Sequence, residues 1–277
     1  MCGNQSVRDQ VTTNHCRSVL DRSANTLTLH VKCHVHSVNT YVDHPPGVQG
    51  NVTYTCRARE ATTVDNFKLA FPAAIEEHWN QPELWISPTL PDPNIAPLRC
   101  RVEISFVRDF RHANCAITLL YEPTPAQGQR NINFRSFCAI GGRTNVDFED
   151  MVVAYNLLNA GRADDSDWIR RRETSDHDEP QDFTQNLAAH EFGHYLGLNH
   201  RCFSPATANA AADYCAGRRH ELMDNMMSIG NTLTPAHGEP WASRLRRHHY
   251  HCDRTWVGST SPVEHDAGLI GSLAAGT

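Results

Sequence analysis

Long apolar runs are absent from this sequence, and no stretch approaches the roughly 18 consecutive apolar residues that a membrane-spanning helix needs. The opening segment, residues 1–14, is polar and has no apolar core of the kind found in secretory signal peptides. We therefore expect no membrane span, and no signal peptide is visible in this chain.

Lysine is scarce, since Lys32 and Lys68 are the only lysines among 25 basic residues. The formal net charge is −6, whereas nucleic-acid-binding domains usually carry a basic face. The one basic stretch that includes an aromatic residue, 244–251, fits a solvated helix end better than a nucleic-acid site. We therefore expect no nucleic-acid partner.

None of the cysteines forms a C-x-x-C pair, which argues against a cysteine zinc site or a thioredoxin-like motif. The total of ten is nevertheless high and even for a chain of 277 residues, and it predicts disulfides in an oxidising compartment. The leading candidate pair, from its spacing, is Cys202 with Cys215. The other candidate pairs are Cys100 with Cys115 and Cys33 with Cys56.

Hydrophobic periodicity predicts strands in the first part of the chain. In the later part it predicts a helix that carries unusual polar residues. Residues 26–36 alternate with period two, with Leu27, Leu29 and Val31 on one face, which predicts a strand. Residues 63–80 have helical spacing, with Pro72 expected to kink or split the helix. Further predicted elements are strands at 51–59, 101–108, 115–121 and 132–140, a short helix at 148–159, and loops at 82–98 and 162–182. This order predicts an α+β fold.

The segment most informative about chemistry is His-Glu-Phe-Gly-His-Tyr-Leu-Gly-Leu-Asn-His, residues 190–200. We expect a helix that begins near Asp182 or Thr184, with Gln185 at capping-box spacing from Asp182. His190 and His194 are four residues apart, so both rings project from one helical face and can bind one ion.

A third histidine, His200, cannot reach the same ion if the helix continues. The chain must turn, and Gly197 stands where a glycine in the left-handed conformation would end the helix. Three neutral histidines leave one position of a tetrahedral zinc ion open, which is the catalytic rather than the structural arrangement. The spacing therefore predicts a zinc site with Glu191 beside it as a general base.

These residues match every fixed position of HExxHxxGxxH, and the segment resembles the zinc-binding signature of the metzincin peptidases. Residues 225–230, Asn-Met-Met-Ser-Ile-Gly, resemble the methionine-containing turn that lies beneath the metal in that clan. Met227 is the expected turn residue, and Met223 is the runner-up.

The resemblance implies a split α+β fold. A twisted mixed sheet, a backing helix and the active-site helix would form an upper subdomain at 51–200. A mostly irregular lower subdomain at 201–257 would carry the Met-turn. Residues 1–50 lie outside this core and are predicted to be an N-terminal extension. Residues 258–277 are small and polar, which predicts a flexible tail.

The resemblance also implies a function: zinc-dependent endopeptidase activity on protein or peptide substrates, through a zinc-bound water assisted by Glu191. We expect a monomer that is secreted or delivered outside the producing cell. Lysine scarcity favours a bacterial toxin or effector, because lysine is the acceptor in ubiquitination, although GC-rich codon usage is a simpler explanation. The alternative function is a catalytically silent binding module stabilised by zinc.

Overall fold

The computed structural model describes residues 8–43, 50–57, 61–89, 96–121, 123–127, 137–138, 150–155, 169–174, 181–200, 224–227, 230–249 and 256–259. These residues form a mixed sheet with a few helices, so the predicted α+β class is confirmed at this level. The strands are β1 (Gln10–Thr12), β2 (Arg17–Asp21), β3 (Thr26–Ser37), β4 (Thr40–Asp43), β5 (Val52–Thr55), β6 (Trp85–Pro88), β7 (Leu98–Phe106), β8 (Cys115–Tyr121), β9 (Thr124–Pro125), β10 (Phe137–Cys138), β11 (Asp150–Tyr155), β12 (Ile169–Thr174), β13 (Gln181–Asn186) and β14 (Trp256–Ser259). The α-helices are α1 (Ala61–Trp79), α2 (Leu187–Tyr195) and α3 (Glu239–Arg244).

The main sheet has nine strands and runs in the order β10-β11-β8-β3-β7-β6-β14, with β2 beside the first half of β3 and β1 beside β2. Strand β3 is parallel to β7 on one side and to β8 on the other, and β11 is parallel to β8. The edge strands β10 and β14 are antiparallel to their neighbours. Two small sheets, β4-β5-β9 and β12-β13, complete the described strands.

Strand β3 confirms the alternation seen in the sequence. Leu27, Leu29, Val31 and Cys33 are buried at every second position. Because successive side chains of a strand point to opposite faces, these four side chains share one face of the sheet. They face the core that α1 covers.

Helix α1 is one continuous helix across Pro72, so the predicted helix is confirmed and it is not split. Its buried residues Phe67, Phe71, Ile75 and Trp79 recur every four positions and form one apolar stripe. Burial of four large side chains offsets the hydrogen bond that proline removes. The Trp79 Nε1–H donates to the carbonyl of Ala189 at 2.9 Å, which ties α1 to α2.

Three element predictions are wrong. The helix predicted at 148–159 is β11, because a short apolar run fits a strand between other strands as well as it fits a helix. The loop predicted at 82–98 contains β6, and the loop predicted at 162–182 contains β12 and the start of β13. Most of the strand predicted at 132–140, and the rest of 162–182, lie outside the described residues.

Five cysteines in the described part of the chain are buried and are not joined in disulfides: Cys16, Cys33, Cys56, Cys100 and Cys115. The pairs predicted from spacing, Cys33 with Cys56 and Cys100 with Cys115, are therefore wrong. Cys100 is in register with Leu27 of β3, and Cys115 is in register with Cys33 of the same strand. Cys100 and Cys115 are therefore about 20 Å apart along the strand direction. Cys202 and Cys215 lie outside the described residues.

The main sheet draws on all parts of the chain. Strands β1 to β3 come from before residue 50, and β14 comes from after residue 200. The subdomain boundaries at 50 and 200 stay predictions, and most of the expected tail at 258–277 lies outside the described residues. Among the described helices, none is long and apolar enough to cross a membrane.

A buried histidine joins the two ends of the described chain. His249 Nε2 lies 2.8 Å from Ser18 Oγ on β2, and its Nδ1 lies within hydrogen-bond distance of the Arg8 carbonyl. Burial lowers the pKa of His249, and the positive charges of His248 and Arg244 add to this effect. The ring is therefore neutral in the folded protein at pH 7, donating from Nδ1 to the carbonyl and accepting from the Ser18 hydroxyl.

We expect the free energy of unfolding to fall as the pH drops below about 6.5, the ordinary pKa of histidine. The unfolded chain then takes up a proton at His249 before the folded chain does, so stability is complete above that pH and is lost toward the lowered pKa. The loss per pH unit is at most about 1.4 kcal/mol.

Urea denaturation of His249→Gln and the parent chain across this pH range measures the effect. The difference between their unfolding free energies should shrink toward acid, whereas the control His112→Gln, at an exposed position away from His249, should track the parent. A difference independent of pH would contradict a neutral buried ring.

Candidate metal centre

Helix α2 carries the first two histidines and begins at Asn186. The backbone of Asn186 is extended, and its side-chain oxygen accepts the Ala189 N–H at 3.0 Å. The predicted caps Asp182 and Thr184 are wrong, because both belong to strand β13. Asparagine at this position satisfies one of the N–H groups that a helix start leaves without an intrahelical partner.

His190 and His194 lie on one face of α2 and are both buried. Their ring centroids are 4.9 Å apart. The helical repeat explains this, since residues four apart are neighbours on a helix surface.

The helix ends in a Schellman turn. Gly197 has φ of 92°, its N–H donates to the His194 carbonyl at 2.8 Å, and the Leu198 N–H donates to the Gly193 carbonyl at 3.0 Å. This pair of hydrogen bonds, with a glycine in the left-handed region, reverses the chain direction after the helix. The turn explains how a residue beyond the helix comes back to it.

His200 returns to the helical pair. Its Nε2 lies 3.0 Å from the Nε2 of His194, and its ring centroid lies 5.5 Å from that of His190. One ring nitrogen from each of the three histidines lies within 4.8 Å of the others, and no other group of this kind occurs in the described part of the chain. The three side chains could hold a metal ion.

The hydrogen bonds around the cluster orient the rings. His190 Nδ1 lies 2.7 Å from the Met226 carbonyl, and His194 Nδ1 lies 2.7 Å from the Leu198 carbonyl. A ring N–H must be at Nδ1 to donate to a carbonyl, which leaves Nε2 as the basic nitrogen of each ring. Both Nε2 atoms are therefore the ones available to a metal.

The spacing of the ring nitrogens fits a shared cation. Two ligand nitrogens of a tetrahedral zinc ion lie about 3.3 Å apart, given Zn–N bonds of about 2.0–2.1 Å. The 3.0 Å separation between the His194 and His200 Nε2 atoms is close to that value. Without a metal, one of these two nitrogens can donate a hydrogen bond to the other, whereas a bound cation would accept a lone pair from each.

Burial also prepares His194 to bind metal. Burial lowers the pKa of this imidazole, and the hydrogen bond to the Leu198 carbonyl offsets part of the shift. The ring is therefore neutral at pH 7, and only a neutral imidazole can bind a metal ion.

Glu191 follows His190 on α2, and only 7% of its surface is exposed. A carboxylate at this position is one helical step from the first histidine, about 100° around the helix axis. It therefore stands beside the cluster, while the three ring nitrogens form the cluster itself.

Met227 packs against α2 below the cluster. A Cβ atom added to Gly193 would lie only 2.3 Å from the Met227 sulfur, so the methionine touches the helix backbone between His190 and His194. The loop is held by the Met227 N–H donating to Asn225 Oδ1 at 2.9 Å and by the Met226 N–H donating to the Thr232 carbonyl at 2.9 Å. The runner-up Met223 lies outside the described residues.

Sequence reasoning missed two contributors to this site. Gln185 was expected in a capping box, but it is buried and contacts His190. Gly193 occupies one of the variable positions of the motif, yet a Cβ added there would lie 2.3 Å from the Met227 sulfur and 3.1 Å from the Trp79 ring, so a side chain fits only if Met227 moves. Nothing in the local spacing identifies either role, since both depend on residues distant in the chain.

Comparison of this chain with protein-family models, curated proteins and solved structures finds no match. Inference about its function therefore depends on the residues of the site.

The turn at Gly197 gives a direct test of how the site is assembled. We expect Gly197→Ala to destabilise the protein by about 1–2 kcal/mol, the cost of the left-handed conformation for a residue with a Cβ atom. Nothing lies within 4 Å of the added Cβ, so the cost arises from the backbone and not from a clash. Urea denaturation of the metal-free protein measures it.

The matched variant is Gly197→Asn, because asparagine tolerates the left-handed region better than alanine does. We expect it to recover part of the lost stability. An alanine variant as stable as the parent would show that the helix does not end in this turn.

Proposed function

We propose that this chain is a zinc-dependent endopeptidase of the metzincin type, with His190, His194 and His200 as metal ligands and Glu191 as general base. The observation that carries the proposal is the convergence of three histidine nitrogens within 4.8 Å, two from a helix and one from beyond its terminal turn. Met227 beneath the helix adds support, because the resemblance predicted a methionine there.

The donor set favours zinc. Imidazole nitrogens suit zinc, copper, nickel and iron, and three histidines with an open fourth position are a known arrangement for catalytic zinc. When bound, zinc supplies Lewis acidity, which polarises a carbonyl and acidifies a coordinated water.

The other steps would be carried out by residues of the chain, which orient the ligands and transfer the proton. The carbonyls of Met226 and Leu198 hold the rings of His190 and His194 at Nδ1, so that both Nε2 atoms face the same point. A carboxylate oxygen of Glu191 would accept the proton of the attacking water and return it to the leaving amine nitrogen. Burial of Glu191 strengthens its interactions with neighbouring charges, since the local dielectric is low.

Chelation is the experiment that tests this function. We expect the purified chain to cleave unfolded casein, and 1,10-phenanthroline to abolish cleavage because the ligands alone supply no Lewis acid. Zinc added after removal of the chelator should restore the rate. The control is a non-chelating phenanthroline isomer, which should leave cleavage unchanged.

Absence of chelator-sensitive cleavage would favour a catalytically silent binding module stabilised by zinc. A peptidase with one dedicated target would also leave casein intact. Mass spectrometry of new peptide termini in a lysate incubated with the chain distinguishes these two, because only the peptidase generates them.

Action outside the producing cell, as a bacterial toxin or effector, is the narrower part of the proposal. It depends on the scarcity of lysine, with only Lys32 and Lys68 in the chain. The described cysteines form no disulfides, so they do not add to it.

A further inference from the structure

A cavity of about 240 Å³ lies beside the C-terminal end of α2, and none of the three clustered histidines lines it. Its walls come from four parts of the chain: His15 and Cys16, Leu29 on β3, residues 195–197, and part of residues 240–248. The cavity is therefore separate from the candidate metal centre, although both use the end of the same helix.

The polar lining of this cavity is basic. It includes Arg244, Arg247, His15 and His248, and no aspartate or glutamate is among the described residues that line it. The neighbouring Arg246 differs, because it donates to Glu239 at 2.6 Å and its charge is balanced there. An acid-free lining is unexpected in a chain with a net charge of −6.

One of the basic groups, Arg244, is held in place by a side-chain contact. Arg244 Nη1 donates to Thr13 Oγ1 at 2.6 Å, which fixes the guanidinium and leaves its other N–H groups for further acceptors. Arg247 and His248 lie on one turn of π-helix, Leu245–His249, that continues α3. Single π-helical turns are rare and occur frequently at functional sites.

The potential in this region is positive. Burial is the main cause of the lowered pKa of His249, and the charges of His248 and Arg244 lower it further, while Asp9 and the Arg8 carbonyl act in the opposite direction. Asp9 is itself paired with Arg22 at 3.0 Å. Arg244 therefore acts as a positive charge close to His249, and it also lines the cavity.

We propose that this cavity binds a small phosphate or phosphate monoester between Arg244 and Arg247. A guanidinium presents parallel N–H groups that match two oxygens of a phosphate, and a tetrahedral dianion can accept from several sides at once. The Ser243 hydroxyl and the two histidines supply further donors around the same space. The volume is below the roughly 300–1,000 Å³ of pockets for drug-sized ligands, so the ligand is small.

Binding would raise the melting temperature by mass action. The test is calorimetric titration and thermal melting of the full chain, dialysed after chelation so that metal-bound phosphate does not contribute. The probes are inorganic phosphate and glycerol 3-phosphate. We expect saturable binding of at least one probe with a dissociation constant of about 1 mM or lower. The probe that binds more tightly shows whether free phosphate or a phosphate monoester is the preferred ligand.

The variants separate a built site from general charge attraction. Arg247→Gln should weaken binding about tenfold or more, the loss of a charge-assisted hydrogen bond. Arg246→Gln removes the same charge one residue away and should change affinity by no more than about twofold. Ser243→Leu fills the cavity without changing charge and should abolish binding while the protein remains folded. Absence of saturable binding, or equal losses in Arg246→Gln and Arg247→Gln, would overturn the proposal.

Discussion

The Glu191→Gln variant is expected to hydrolyse casein about 10²–10⁴-fold more slowly than the parent chain while keeping its zinc. Glutamine has nearly the same shape as glutamate, but its amide cannot accept a proton from water at neutral pH. The three nitrogens that form the cluster belong to other residues, so metal binding should be unaffected.

The measurement is the initial rate of casein cleavage at equal zinc content, with zinc determined by mass spectrometry. Glu103→Gln is the matched control, because Glu103 is exposed on β7 and pairs with His30 at 2.9 Å, away from the site. It should cleave like the parent. If Glu191→Gln cleaves equally fast, the carboxylate is not the base.

The His200→Ala variant is expected to bind zinc more than about 100-fold more weakly than the parent and to lose measurable cleavage. Loss of a residue that merely orients a ligand costs about 10–100-fold in metal affinity, and loss of a ligand itself costs more. His200 lies beyond the Schellman turn and is only partly buried, so its removal should leave α2 folded.

Two measurements check this prediction: zinc retained after dialysis, and the rise in melting temperature when zinc is added. The parent should melt at a higher temperature with zinc, because a ligand that binds only the folded state stabilises it. His112→Ala removes an exposed histidine elsewhere and should behave like the parent. Full zinc retention in His200→Ala would refute the role assigned to the third ring.

The features that could be predicted from the sequence depend on short-range patterns. The four-residue spacing of His190 and His194 and the glycine at 197 are local, and each has a direct geometric meaning in a helix and its terminal turn. The alternation of Leu27, Leu29 and Val31 is equally local, and it correctly identified the strand that lies in the middle of the sheet.

The features that could not be predicted from the sequence depend on contacts between residues distant in the chain. The helix predicted at 148–159 was wrong, because parallel pairing with β8, and not the local sequence, makes Asp150–Tyr155 a strand. Gln185 supports His190 only after residues 181–186 have paired with β12, which local spacing cannot show. The cysteine pairs failed for the same reason, since register in the sheet, not distance along the chain, sets which thiols are neighbours.

Strand β3 has a consequence for any maturation of this protein. Many secreted peptidases are activated by cutting away an N-terminal segment, but residues 26–37 here bridge β7 and β8 through parallel pairing. A cleavage that released everything up to residue 50 would split the sheet and expose the apolar stripe of α1 to water. Processing that yields a folded protein must therefore leave this strand in place.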